Sequence, residues 1–286
     1  GLFALLARKA LIGLDATGGG AKLGMLLSTA VAGFIMGPII GALFEPLGFA
    51  APFLAVSAAI IVVGIPATMI LLRTEIAATP VDYSDLGRLL ARPKVQAAML
   101  VQVIVYGFIG VFDVIIDRFL TDLGASTGQV AMTIMVVGGP MLILPRFAGN
   151  LAERLGGAAV MLPGIAVLIP TVCGYGFSGT VLAVTMVGFF HGSSESFASI
   201  SAQVLVLEVT GPERAAVGSS LLDASGLGAA TVAAAIAPMV YGSGGARTVF
   251  VGAGMIGALL GIAAVVRARQ GSDIPLGPPQ AAIPRA

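Results

Sequence analysis

The chain has 286 residues, 57% of them hydrophobic and only 10% charged, with a net charge of +1 and a mean hydropathy of +1.03. A soluble domain carries about 25% charged residues, so this composition excludes a soluble globular fold, and the near-neutral balance gives no footing for nucleic acid. A single cysteine, Cys173, and a single histidine, His191, exclude an internal disulfide, cysteine metal sites and paired-histidine zinc motifs, so neither a metal nor a cofactor is expected.

A helix that crosses a bilayer needs about 20 apolar residues. By that measure the chain opens on a partial span, Gly1 to Leu14. Eight full spans follow, at Leu23–Phe44, Ala50–Leu72, Val95–Ile116, Gln129–Ala148, Ala158–Phe177, Val181–Val206, Ala215–Tyr241 and Thr248–Val266. The predicted fold class is therefore an all-α integral membrane bundle of about nine transmembrane helices, one of them partial. The first residue, Gly1, lies inside an apolar segment with no charged n-region and no cleavage-site pattern. That is not a signal peptide and reads as an incomplete front end.

Residues 1–72 are expected to be the remainder of an N-terminal bundle, 73–94 a central loop, 95–268 a six-helix C-terminal bundle, and 269–286 a disordered tail rich in Pro, Gly and Ala. When the spans alternate in direction, thirteen of the fifteen Lys and Arg fall on one side, and only Arg118 and Arg247 fall on the other. Basic loops stay in the cytoplasm, which puts the central loop and the C-terminus there, in a multi-pass protein of the inner (plasma) membrane. A weak internal repeat pairs Ala21–Leu27 with Ala215–Leu221, 194 positions apart, as in transporters built from parallel repeats.

Ionisable groups at membrane depth are costly and face the bundle interior or a water-filled path. In the third full span Gln102, Tyr106, Asp113 and Asp117 fall within an arc of about 60° at 100° per residue. They form either a functional polar stripe or, at Asp113 and Asp117, a helix end in outer water. In the sixth full span His191 and Glu195 are four apart and share a face, with Ser193, Ser194, Ser196, Ser199, Ser201 and Gln203 around them. The pair is either a proton site or a structural link between helices. Asp223, beside Ser219 and Ser220, is a further candidate, or else pairs with a basic group near the cytoplasmic face.

Two motifs carry a family resemblance. Gly24, Gly33, Gly37, Pro38 and Gly41, with Ala42 after them, put glycines four apart on one helix face around a proline. The spacing resembles the fifth-helix signature of proton-coupled drug exporters in the major facilitator superfamily. Gly149-Asn150-Leu151-Ala152-Glu153-Arg154-Leu155-Gly156, expected in the loop after the span Gln129–Ala148, is similar to that superfamily's cytoplasmic Gly-x-Leu-Ala-Asp-Arg-x-Gly motif, with Glu153 where Asp is usual.

The resemblance implies a helical bundle of twelve spans whose first three helices and part of the fourth are absent from this chain. It also implies alternating access by rocking halves, and a charged latch with Glu153 at a helix start and Arg154 bonded to a neighbouring helix. On that basis the chain is not expected to be an enzyme. It is expected to be a secondary transporter, acting as a monomer in the lipid bilayer, that exports a small organic compound in exchange for protons, using Glu195 and His191, Asp113, Gln102, Tyr106 and Asp223. Import of a sugar or metabolite by proton symport, a membrane enzyme, and an inactive transporter remnant are the alternatives.

Overall fold

The computed structural model describes residues 44, 47–48, 50–73, 86–211 and 214–270. The Gly24–Gly41 motif, the first partial span and nearly all of Leu23–Phe44 lie outside these residues, as do 74–85 of the central loop and 271–286 of the tail. Seven helices follow in order: α1 Ala51–Arg73, α2 Leu86–Leu90, α3 Pro93–Asp122, α4 Thr127–Leu155, α5 Gly157–Tyr175, α6 Val181–Thr210 and α7 Ala215–Gln270. Among the described residues there is no strand.

Local chemistry sets several of the boundaries. Pro93 opens α3, where its missing N–H costs nothing. Ser126 and Gln129 form a reciprocal capping box at the start of α4, with the Gln129 N–H donating to Ser126 Oγ and the Ser126 N–H to Gln129 Oε1. Thr180 caps α6 by accepting from the Ala183 N–H.

Gly245 interrupts α7 at φ 69°, ψ −175°, a conformation open essentially to glycine alone. It divides α7 into two arms, residues 215–244 and 246–270. Replacing Gly245 with Ala should cost about 1–3 kcal/mol through this backbone strain alone, because a Cβ there would meet nothing. A lowered melting temperature of the detergent-solubilised protein would register it.

Among the described residues four helices are long and apolar enough to cross a membrane: Pro93–Asp122, Thr127–Leu155, Gly157–Tyr175 and Val217–Gln270. Eight full spans and one partial were expected, and the differences have identifiable sources. The last two expected spans are the two arms of α7, joined through Gly245. Helix α6 has the length, 30 residues, but its run of serines with His191 and Glu195 dilutes its hydropathy. Helix α1 supplies only a shorter apolar stretch, Ala51–Pro66.

Close glycine contacts position the helices. In α3, Gly110 lies against the backbone of Ala230 in the first arm of α7, and Gly226 of that arm lies against the Tyr106 ring. Tyr241 donates to Asp122 Oδ2 at 2.6 Å. These three contacts keep α3 and the first arm parallel and in step. The Phe108 ring rests on Gly257 of the second arm.

Helix α6 touches α3, α4, α5 and α7. Its Gly192 sits on the Val137 carbonyl of α4, and its Ala198 backbone on Gly164 of α5. Thr185 and Thr133 hydroxyls bond across α6 and α4 at 2.7 Å. Such small-residue and hydroxyl contacts are how helices associate where lipid removes the hydrophobic drive. Residues 191–206 of α6 are buried on every side except at Ser193 and Phe197, while large apolar side chains such as Met132, Ile143, Phe189 and Leu259 cover the outside of the bundle.

A buried tyrosine, histidine and glutamate on α5 and α6

Glu195 is the fifteenth of the thirty residues of α6, at the helix midpoint. It is 5% exposed and His191 only 2%. Being one helical turn apart, they meet side by side, with His191 Nε2 at 3.5 Å from Glu195 Oε2, an ion-pair distance at which Nε2 makes no hydrogen bond among the described residues. Among the described residues His191 is the one basic group in ion-pair range of that carboxylate.

The other ring nitrogen, His191 Nδ1, lies 3.1 Å from the Tyr175 hydroxyl, which reaches across from the last turn of α5. Phe112 of α3 meets the imidazole edge-on at 5.5 Å, and Tyr175 does so at 5.7 Å. Phe250 of the second α7 arm backs Tyr175 at 5.0 Å. The imidazole is thus held by α3, α5 and α6 together.

Most of the neighbouring serines are already committed. Ser193 donates to Phe189 O, Ser194 to Phe190 O, and Ser196 to Gly192 O, all within α6. Hydroxyls returned to their own helix in this way have their donor committed and can only accept from a ligand. Ser201 Oγ, wholly buried, has no hydrogen-bond partner among the described residues.

The predicted stripe on α3 divides in two. Gln102 is fully buried, and among the described residues neither its amide oxygen nor its nitrogen finds a partner. Tyr106 is half-buried against Gly226. Asp113 and Asp117 are exposed, and Asp113 is close enough to Glu195 for the two charges to repel. Neither aspartate ends the helix, which continues to Asp122. Asp223 is half-buried on the first arm of α7, so the structure brings His191, Glu195 and Asp113 together and leaves Asp223 on another helix.

The latch motif needs correction. Gly149 to Leu155 are not in a loop but form the last two turns of α4, and only Gly156, at φ 90°, leaves the helix. Glu153 therefore sits at a helix end and not at a helix start, and both it and Arg154 are exposed. The carboxylate at the start of α5 is instead Glu208 of α6, which accepts from the Gly157 N–H at 2.9 Å. An anion suits a helix N-terminus, but no local pattern around Glu208 marks the partner, because the contact spans 51 residues. Replacing Glu208 with Ala should cost about 0.5–2 kcal/mol, as loss of a helix cap does, readable as a lower melting temperature.

A separate apolar cavity of about 540 Å³ lies between α3 and the two arms of α7, with Val103, Ile236 and Leu260 in its walls. None of the predicted site residues lines it. Gly107, Gly228 and Gly252 do, and a Cβ at any of them would meet open space.

Comparison with known proteins adds the family. A search of curated proteins finds no match. Residues 98–284, which take in most of α3 and all of α4 to α7, match the family model of the Major Facilitator Superfamily. With the all-helical bundle and its membrane-length helices, this match over more than half of the sequence establishes that the chain belongs to the Major Facilitator Superfamily of secondary transporters.

Proposed function

We propose that the chain is the transport machinery of a proton-coupled exporter, moving a small organic compound outward as protons move inward. The observation that carries this reading is Glu195, closed off at the midpoint of a membrane helix with His191 beside it. An ionised carboxylate without a full countercharge is expensive to bury, so closing such a site over Glu195 favours taking up a proton and opening it favours release. Asp113 of α3, within electrostatic reach of Glu195, serves as the second proton site. Gln102, Tyr106 and Asp223 contribute to the polar path.

Substrate binds between two helical halves near the midplane and competes with protons for the same groups, which couples the two flows. The outward direction rests on the likeness of Gly24, Gly33, Gly37, Pro38 and Gly41 to the exporter signature. In this reading the protein works as a monomer in the plasma membrane, with the basic central loop and C-terminus in the cytoplasm.

The test is reconstitution of the full-length protein into liposomes with an imposed pH gradient, using ethidium as the probe and a lumenal dye to report pH. Ethidium moving opposite to protons is the expected result. Movement with the protons would make the protein a symporter, and probe flux insensitive to the gradient would overturn proton coupling.

A further inference from the structure

Tyr175 has no place in the reading above, yet its hydroxyl is the group that meets the free side of the buried imidazole. The side chain is wholly buried, and its ring is wedged among Phe112, His191 and Phe250, so the hydroxyl has little freedom to turn elsewhere. A neutral imidazole has one N–H donor and one acceptor nitrogen, and which is which follows from its partners. On the Nε2 side the Glu195 carboxylate stands 3.5 Å away, in charge range but with no hydrogen bond closed to Nε2, and when ionised it can only accept. On the Nδ1 side stands a hydroxyl, which can donate. The two partners agree on a single arrangement: hydrogen on Nε2, and Nδ1 accepting from Tyr175.

We propose that Tyr175 is a positioning residue that holds His191 in the Nε2–H tautomer, so that the imidazole presents a donor and not a lone pair to Glu195. This rests on the reading of Glu195 as the proton site. The titratable groups facing the pair are Tyr175 from α5 and Asp113 from α3. From α4 and α7 the neighbours are the apolar Val137, against Gly192, and Phe250, against Tyr175. Because the tyrosine lies on α5 and the pair on α6, the tautomer also ties the protonation of Glu195 to the contact between those helices.

His191 is the sole histidine of the chain, so ¹⁵N-histidine labelling of the full-length protein in lipid gives ring-nitrogen signals from this residue alone. The native protein, at a pH where Glu195 is ionised, should show a protonated Nε2 and an accepting Nδ1. Tyr175→Phe keeps the ring packing and removes only the hydroxyl. It should raise the proportion of the Nδ1–H tautomer roughly 2–10-fold, the equilibrium worth of one hydrogen bond, without altering helix content.

A native ring found in the Nδ1–H form would overturn the proposal, and so would ring signals identical in the native protein and Tyr175→Phe. If Tyr175→Phe fails to fold, the native spectrum decides alone. Proton coupling that survives Glu195→Gln, together with the expected tautomer shift, would remove the proton-site reading and leave the positioning role standing.

Discussion

Glu195→Gln should make substrate affinity independent of pH. In the native protein proton and substrate compete for one buried site, and coupling of that kind commonly amounts to about 1–3 kcal/mol, a 5–150-fold change in apparent affinity between the protonated and deprotonated states. Glutamine has nearly the shape of protonated Glu and can still face His191 Nε2, 3.5 Å from the native carboxylate oxygen, but it cannot exchange a proton. The variant should therefore fold and still exchange substrate for substrate across the membrane. Uphill movement driven by a pH gradient should stop. The measurement is counterflow against gradient-driven flux of ethidium in the same liposomes. A variant that keeps both would show that the proton is carried elsewhere, with Asp113 the next residue to replace.

Gly192→Leu should have the largest effect on stability. A Cβ at this position would collide with the Val137 carbonyl oxygen of α4, a backbone atom that cannot rotate away. Helices α4 and α6 would have to separate, which breaks the bond between Thr133 and Thr185 as well. Overpacking of a tight contact costs about 1–3 kcal/mol, and at about 2–4 °C per kcal/mol in a domain of this size the detergent-solubilised protein should melt several degrees lower or fail to accumulate. Gly139→Ala is the control. It is a glycine of the same α4 whose Cβ would meet nothing, and Ala favours the helix by up to about 1 kcal/mol, so that variant should be as stable as the native protein or more so. Equal melting temperatures for Gly192→Leu and the native protein would refute the close packing of α4 on α6.

Much of the back half was legible because lipid leaves the backbone few choices. Hydropathy alone located α3 to α7 to within six or seven residues at each end. The extensions came from polar residues that still continue the helix, such as Asp117 to Asp122 on α3 and Asn150 to Leu155 on α4. The pairing of His191 with Glu195 was also readable, since a spacing of four fixes a shared face whatever surrounds it.

Partners distant in sequence were not readable. Tyr175 reaches His191 across 16 residues and a turn, and Glu208 reaches Gly157 across 51. Neither has a local signature, because both depend on how α5 seats against α6. Familiarity of pattern misplaced the latch. A motif met in loops was expected in a loop, yet nothing before Gly156 obliges the chain to leave the helix, and Gly156 does so through its positive φ. The α3 stripe shows the same limit from the other side. Periodicity put Gln102 and Asp113 on one face, but only the neighbouring helices decide that Gln102 is enclosed while Asp113 stays exposed.

The enclosure of α6 also bears on how the protein is made. A helix carrying His191, Glu195 and a row of serines gains little by entering lipid alone, since a central charged residue costs about 2.5–3.5 kcal/mol on insertion scales. Its polar half is shielded by α3, α4 and α5, all of which leave the ribosome before it. Helix α6 therefore enters the bilayer by docking onto helices already there. The glycine contacts that receive it, Gly192 against α4 and Gly164 under Ala198, thus act already during synthesis.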